Sequence, residues 1–222
     1  MPPKNTLKAF EHELLIRRVA SRYAGASNNV APTAKVTGNA KVSGKARVFD
    51  YAWVYGDAEV YGNAKVLGKA EVYGNAKVLG NAKVLGNAKV LGNAKVFGDA
   101  RVYGDALVFG NADVFGDAEV FDNASVSGKA YVTDNAKVYG DALVRSNARV
   151  SGDAQVYGDA DVASDAKVLG KAEVFGDARV YGDALVFGDA RIGGTAVILG
   201  GEWTGKEGEI LEGAWKSPGV PG

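Results

Sequence analysis

Every sixth residue from Val30 to Ile198 is Val or Ile, and every sixth residue from Ala34 to Ala196 is Ala. An uninterrupted fixed period of this length is typical of a solenoid, in which short structural units stack on one another. The periodic region covers about three-quarters of the chain. It therefore restricts the possible architecture more than any other feature of the sequence.

The repeat unit is Gly-(Asn/Asp)-Ala-x-Val-x, and residues 74–91 contain three identical copies of Gly-Asn-Ala-Lys-Val-Leu. Glycine followed by Asn or Asp is typical of a turn, because these residues tolerate the positive φ that a sharp corner requires. The x-Val-x triplet suits a short strand whose valine points inward while both neighbours point outward. Six residues are too few to close a coil, so several sides must make one turn.

The residue after each valine indicates how many sides a coil contains. It is usually aromatic or Leu, but it is small or polar at Ser127, Thr133, Arg145, Ser151 and Ala163. In a twelve-residue coil these exceptions would scatter over both faces, whereas in an 18-residue coil one column stays apolar. We call that set the apolar column: Phe49, Leu67, Leu85, Tyr103, Phe121, Tyr139, Tyr157 and Phe175. The pattern favours three sides per coil and predicts a triangular prism of about nine coils, roughly 45 Å long.

The sequence divides into three parts. Residues 1–29 are predicted to form an N-terminal helix, over 5–24, and a linker that act as a cap or docking arm. The helix prediction rests on apolar residues at roughly helical spacing, which are Leu7, Phe10, Leu14, Val19 and Tyr23. Residues 30–199 form the repeat array. Residues 200–222 break the period and are predicted to be a C-terminal cap or tail.

The Val-x-x-x-Ala-x pattern over residues 30–199 resembles the hexapeptide-repeat, left-handed parallel β-helix family. This resemblance implies an all-β solenoid with a left-handed coil, and resembling proteins are commonly trimers. The family usually accepts Ile, Leu or Val at the first position and Ser, Thr, Ala, Val or Cys at the fifth. This chain is far more uniform than that pattern.

The resemblance also implies two activities, acyl transfer and γ-class carbonic anhydrase chemistry. The acyltransferases typically use a histidine as general base, and the carbonic anhydrases use three histidines on zinc. The one histidine of this chain is His12, which precedes the array. We therefore predict no catalytic, cofactor-binding or metal-binding residues, no cofactor and no small-molecule substrate.

The balanced overall charge argues against nucleic acid and anionic membranes as partners. The 26 Lys and Arg residues equal the 26 Asp and Glu residues, so no overall field selects nucleic acid or an anionic membrane. A basic column does lie beside the apolar one, but acidic or amide residues interrupt it. The basic members are Arg47, Lys65, Lys83, Arg101 and Lys137, and the interrupting residues are Glu119, Gln155 and Glu173. Nucleic-acid binding is accordingly not expected.

The charges are nevertheless unevenly distributed along the chain. Residues 33–104 carry eleven basic and five acidic groups, net +6, whereas residues 105–192 carry eight basic and fifteen acidic groups, net −7. The difference represents either random drift among solvated positions or a head-to-tail attraction between molecules.

Two kinds of corner column are expected from an 18-residue coil. Asp141, Asp159 and Asp177 should stack, and their carboxylates either serve as ordinary turn residues or bind a hard cation such as calcium. Stacked asparagines at other corners should form hydrogen bonds along the column, as they do in cross-β stacks.

The apolar column is the candidate self-association surface, because a long exposed apolar strip usually marks an interface. The alternative is that ring stacking only stabilises the coil. We therefore expect a non-catalytic, self-associating rod, spacer or fibre subunit whose partner is itself. The alternative is a hexapeptide-repeat acyltransferase or a decayed relative. Without a signal-like segment the default location is the cytoplasm, with release by lysis or a leaderless route left open.

Overall fold

The described part of the chain is a parallel β-solenoid of about ten coils. The computed structural model describes residues 29–217 and 220–221, and over this range it contains strands and turns and no helix. The predicted helix over 5–24 lies outside these residues, as does His12. Each coil has three short strands, and each strand belongs to one of three sheets that run the length of the solenoid.

The strands of sheet 1 are Lys35–Val36, Trp53–Val54, Glu71–Gly74, Lys89–Gly92, Leu107–Val108, Ser125–Val126, Leu143–Val144, Asp161–Val162, Arg179–Val180, Val197–Ile198, Ala214–Ser217 and Val220–Pro221. Those of sheet 2 are Lys41–Val42, Glu59–Val60, Lys77–Val78, Lys95–Val96, Asp113–Val114, Tyr131–Val132, Arg149–Val150, Lys167–Val168, Leu185–Val186 and Glu202–Trp203. Those of sheet 3 are Arg47–Val48, Lys65–Val66, Lys83–Val84, Arg101–Val102, Glu119–Val120, Lys137–Val138, Gln155–Val156, Glu173–Val174, Arg191–Ile192 and Glu209–Ile210.

The pairing register confirms the 18-residue coil. Val84 of sheet 3 pairs in parallel with Val66 on one side and Val102 on the other. Backbone hydrogen bonds follow the same register, and they include the corners, where the Asn87 N–H donates to the Gly104 carbonyl at 2.8 Å. Strands and corners are therefore both tied to the next coil, so each coil depends mainly on its two neighbours.

The core consists of the repeated valines and alanines, as the period predicts. From Ala46 to Ile198 every residue of both ladders is at most 1 % exposed, and no polar or charged residue is buried in the described range. A valine from each of the three sides therefore points into the centre of the prism, and the interior of the described coils is apolar.

Glycine with positive φ occupies most corners, and five corners carry another residue. These are Asp50, Asp122, Asp134, Ser146 and Ser164, with φ between 58° and 62°. Two of the aspartates offset the backbone cost with a hydrogen bond. The carboxylates of Asp50 and Asp134 accept from the N–H groups of Gly68 and Gly152, one coil further on, at 3.2 and 3.0 Å.

The predicted asparagine columns are confirmed. Asn63 donates through Nδ2 to Oδ1 of Asn81 at 2.9 Å, and Asn81 donates in turn to Asp99 at 3.0 Å. Asn75, Asn93 and Asn111 repeat the arrangement. Each amide therefore links two coils outside the sheets.

The C-terminal segment, which lacks the hexad pattern, adds one strand each to sheets 2 and 3 and two strands, Ala214–Ser217 and Val220–Pro221, to sheet 1. Trp203 takes the inward position beside Val186, Ile210 that beside Ile192 and Trp215 that beside Ile198. Trp203 is 1 % exposed. Its ring therefore extends the core at the inward position that valine occupies in the earlier coils of sheet 2. With this extra coil the rod has about ten coils, and the expectation of about nine is corrected accordingly.

Candidate functional site

The apolar column follows the strands of sheet 3, one residue beyond each valine. From Tyr103 to Phe175 its rings stack in sequence. The centroid distances are 4.8, 4.9, 5.0 and 5.4 Å, and the planes lie within 13° of parallel. The coil spacing imposes this geometry, because parallel strands place equivalent side chains one strand spacing apart.

Exposure is uneven along the column. Phe49, Leu67, Leu85 and Tyr103 are all buried, at 9 % exposure or less, whereas Phe121, Tyr139, Tyr157 and Phe175 are half-buried. We call the first four the buried half and the last four the open half. The more exposed members of the column therefore lie together, in its second half.

The residues that interrupt the basic column hold the tyrosines in place. The hydroxyl of Tyr103 donates to Glu119 at 3.0 Å, and that of Tyr157 donates to Glu173 at 2.9 Å. Burial, together with the hydrogen bond to the Glu173 carboxylate and its negative charge, raises the pKa of Tyr157 to about 12. At neutral pH the phenols are therefore protonated and donate these hydrogen bonds.

The column ends at Gly193. A Cβ atom there would lie 2.3 Å from the ring of Phe175, so any larger residue would displace that ring. The guanidinium of Arg191 lies 5.0 Å from the same ring centroid and also contacts Glu173 and Glu209. This cation–π contact places a positive charge at the C-terminal end of the open half.

The other two sheets carry shorter stacks of the same kind. Tyr55 stacks on Tyr73 in sheet 1, and Phe97 stacks on Phe115 in sheet 2, each at 4.7 Å. Stacking is thus a general result of the repeat, and it stabilises coils on every face. The sheet 3 column differs in its length and in having a buried and an open half.

A concave site also lies at the C-terminal end. It is lined by Trp203, Ile210, Trp215 and Glu207, among others. The carboxylate of Glu207 accepts hydrogen bonds from the Thr204 and Gly205 N–H groups at 3.0 and 2.9 Å. These bonds close the turn, so the carboxylate has a structural role there.

One of the corner aspartates has a defined hydrogen-bond partner. Asp141, one of the corner aspartates, accepts a hydrogen bond from Asn123 at 2.9 Å. Within residues 29–217 and 220–221 no group of three or more His, Cys, Asp or Glu side chains could hold a metal ion. The same residues include no helix long and apolar enough to cross a membrane.

Comparison with known proteins gives one family match. The model of the YdcK beta solenoid repeat matches residues 174–194, which run from the strand Glu173–Val174 through Arg191–Ile192. A search of curated proteins gave no match. The matched residues make just over one coil and include Phe175, the last member of the apolar column.

Proposed function

We propose that this β-solenoid repeat protein is a non-catalytic structural or interaction protein. In this proposal the chain is a rigid, left-handed rod that associates with copies of itself as a spacer or fibre subunit. Regularity supports the idea, because about nine coils repeat without an inserted loop between Val36 and Ile198. A rod tolerates the gain or loss of whole repeats, whereas a catalytic groove does not.

The open half of the apolar column is the observation that carries the proposal. Four stacked rings span about 15 Å of one face at the coil spacing, and each is only half-buried. An apolar strip of this kind usually marks an interface. Its rings are already ordered by stacking and hydrogen bonds, so little side-chain entropy is lost when a second copy covers them.

Charge supports a second, end-to-end contact. The coils of the first half carry net positive charge and those of the second half net negative charge. The terminal coils also present strand edges, which favour pairing with another chain. The end-to-end contact should weaken as salt shortens the range of the attraction, to about 3 Å at 1 M, whereas the lateral contact should not.

Replacing Phe121, Tyr139 and Tyr157 together with serine should weaken lateral self-association at least about tenfold, because each fully buried aromatic contributes roughly 1.5–3 kcal/mol. Sedimentation velocity over a concentration series measures the change. The matched control replaces Phe97 and Phe115 with serine, which removes a stack of equal spacing from sheet 2. Equal effects of the two sets, or no effect of the first, would mean that stacking only stabilises the coil.

The acyltransferase alternative rests on the family resemblance alone. Such an enzyme needs a general base, and no histidine occurs after His12. No observation on the described residues favours this alternative over the rod.

A further inference from the structure

The three sheets end differently at the C-terminal end of the rod. In sheet 1 the antiparallel strand Val220–Pro221 pairs with Ala214–Ser217 and covers its outer edge. In sheet 2 the Thr204 N–H, which points away from the preceding coil, donates to the Glu207 carboxylate at 3.0 Å. The chain itself therefore covers one edge and blocks part of a second.

The last strand of sheet 3, Glu209–Ile210, has no such cover in the described part of the chain. In the coils before it, the residues on either side of the inward one donate to the following coil, as the Phe175 N–H does to the Ile192 carbonyl at 2.9 Å. Glu209 and Leu211 hold these positions in the last strand, and no described strand follows them in the sheet. Their N–H groups thus point beyond the end of the rod, where the carbonyls of a further strand could accept them.

The open edge borders the concave site at the C-terminal end. That site has a volume of about 490 Å³, within the range of ligand pockets, and it is lined by Trp203, Ile210 and Trp215. The indole N–H groups of the two tryptophans donate to the carbonyls of Gly200 and Glu212 at 2.8 and 3.0 Å. Both rings are therefore held in place, and the apolar part of the site is formed before anything binds.

The rim of this site is acidic. Of the described residues that line it, three are glutamates, Glu207, Glu209 and Glu212, and none is basic. All three are exposed. Glu209 also contacts Arg191, and Glu207 closes a turn, whereas the Glu212 carboxylate has no partner among the described residues. Basic side chains would therefore complement the rim.

We propose that this end of the rod binds an extended segment of another protein, which pairs with Glu209–Ile210 as an additional strand of sheet 3. Alternate side chains of a strand point to opposite faces. The residue opposite Ile210 therefore enters the apolar site, and its two neighbours lie outside, beside Glu209 and Leu211. The segment accordingly carries an apolar residue between basic ones.

The neighbouring hairpin favours a single strand as the occupant. Val220–Pro221 extends sheet 1 by one strand spacing, about 4.8 Å, beyond the last coil. The edge of sheet 3 thus lies in a recess one strand deep. Such a recess fits a free segment better than a complete coil of a second rod. The binding does not depend on whether the rod self-associates.

Fluorescence anisotropy of a rhodamine-labelled peptide, Gly-Lys-Val-Lys-Gly, tests the proposal on the full chain. This peptide should bind saturably with a Kd below about 1 mM, and the matched peptide Gly-Glu-Val-Glu-Gly should bind at least about tenfold more weakly. Leu211→Pro should weaken binding of the basic peptide at least about tenfold, because it removes one of the edge N–H groups. Leu211→Ala keeps that N–H group and should change the Kd by no more than about threefold.

A second pair of variants leaves the backbone unchanged and decides the test if the proline variant does not fold. Glu212→Lys should weaken binding of the basic peptide, whereas Glu202→Lys makes the same charge change outside the concave site and should not. Absence of saturable binding up to about 1 mM, equal binding of the two peptides, or equal effects within either pair of variants would overturn the proposal. If Leu211→Pro lowers self-association of the protein alone in sedimentation velocity, and Leu211→Ala does not, a second copy occupies the edge and the proposal is wrong.

Discussion

Replacing Val126 with aspartate is expected to lower the free energy of unfolding by about 3–5 kcal/mol, because it leaves an unpaired charge in an apolar interior. Val126 is fully buried, and its neighbours in sheet 1 are Val108 and Val144. Urea denaturation followed by circular dichroism in the strand region measures the loss. Since each coil contacts only its neighbours, the transition should also broaden as the two sides of the rod separate.

Ser125→Asp is the matched control, because Ser125 precedes Val126 on the same strand and points outward. Its partners in the sheet are Leu107 and Leu143, so no like charge lies opposite. The control should change stability by no more than about 0.5 kcal/mol. A Val126→Asp variant as stable as the control would show that the valine ladder does not form the core.

Replacing Gly128 with alanine should lower stability by about 2–4 kcal/mol, since a positive φ and a backbone collision both oppose the new Cβ atom. Gly128 has a φ of 70°, and a Cβ atom there would lie 2.7 Å from the backbone nitrogen of Ser146. The neighbouring atom belongs to the backbone of the next coil, so it can move only if that coil shifts. Thermal and urea unfolding of the variant measure the cost.

Gly208→Ala separates the two contributions. Gly208 has a φ of 77°, but a Cβ atom there would have no neighbour within 4 Å. This control should lose only the conformational part, about 1–2 kcal/mol. Equal losses at Gly128 and Gly208 would contradict the close stacking of successive corners.

Periodicity was sufficient to predict the number of sides, the inward residues and the asparagine columns. Each of these depends on spacing alone: Val84 pairs with Val66 and Val102 because a coil has 18 residues, and Asn63 reaches Asn81 for the same reason. The small or polar residues after five valines favoured three sides over two, and the strand register confirms three.

The last coil could not be predicted from the hexad pattern, because its turns have other lengths. Trp203 pairs with Val186, seventeen residues earlier, and Trp215 with Ile198 at the same separation. One signal was available in the sequence: large apolar residues recur near the 18-residue spacing at Trp203, Ile210 and Trp215. Strict period-six counting misses it.

The unequal exposure of the apolar column was also beyond the reach of the sequence pattern. Leu85 and Leu91 stand at the same place in identical repeats, yet Leu85 is buried and Leu91 is half-buried. Local sequence cannot distinguish them, since the difference depends on which of the three faces each occupies and on what else packs there.

Small-angle X-ray scattering over a concentration series at low salt tests the self-associating rod most directly. At high dilution the protein should scatter as a single rod whose solenoid is roughly 48 Å long, from ten coils at the strand spacing. As concentration rises to about 100 μM, the forward scattering per unit mass should increase, and added salt should remove only part of the increase. A forward scattering that stays at the monomer value throughout the series would contradict the account.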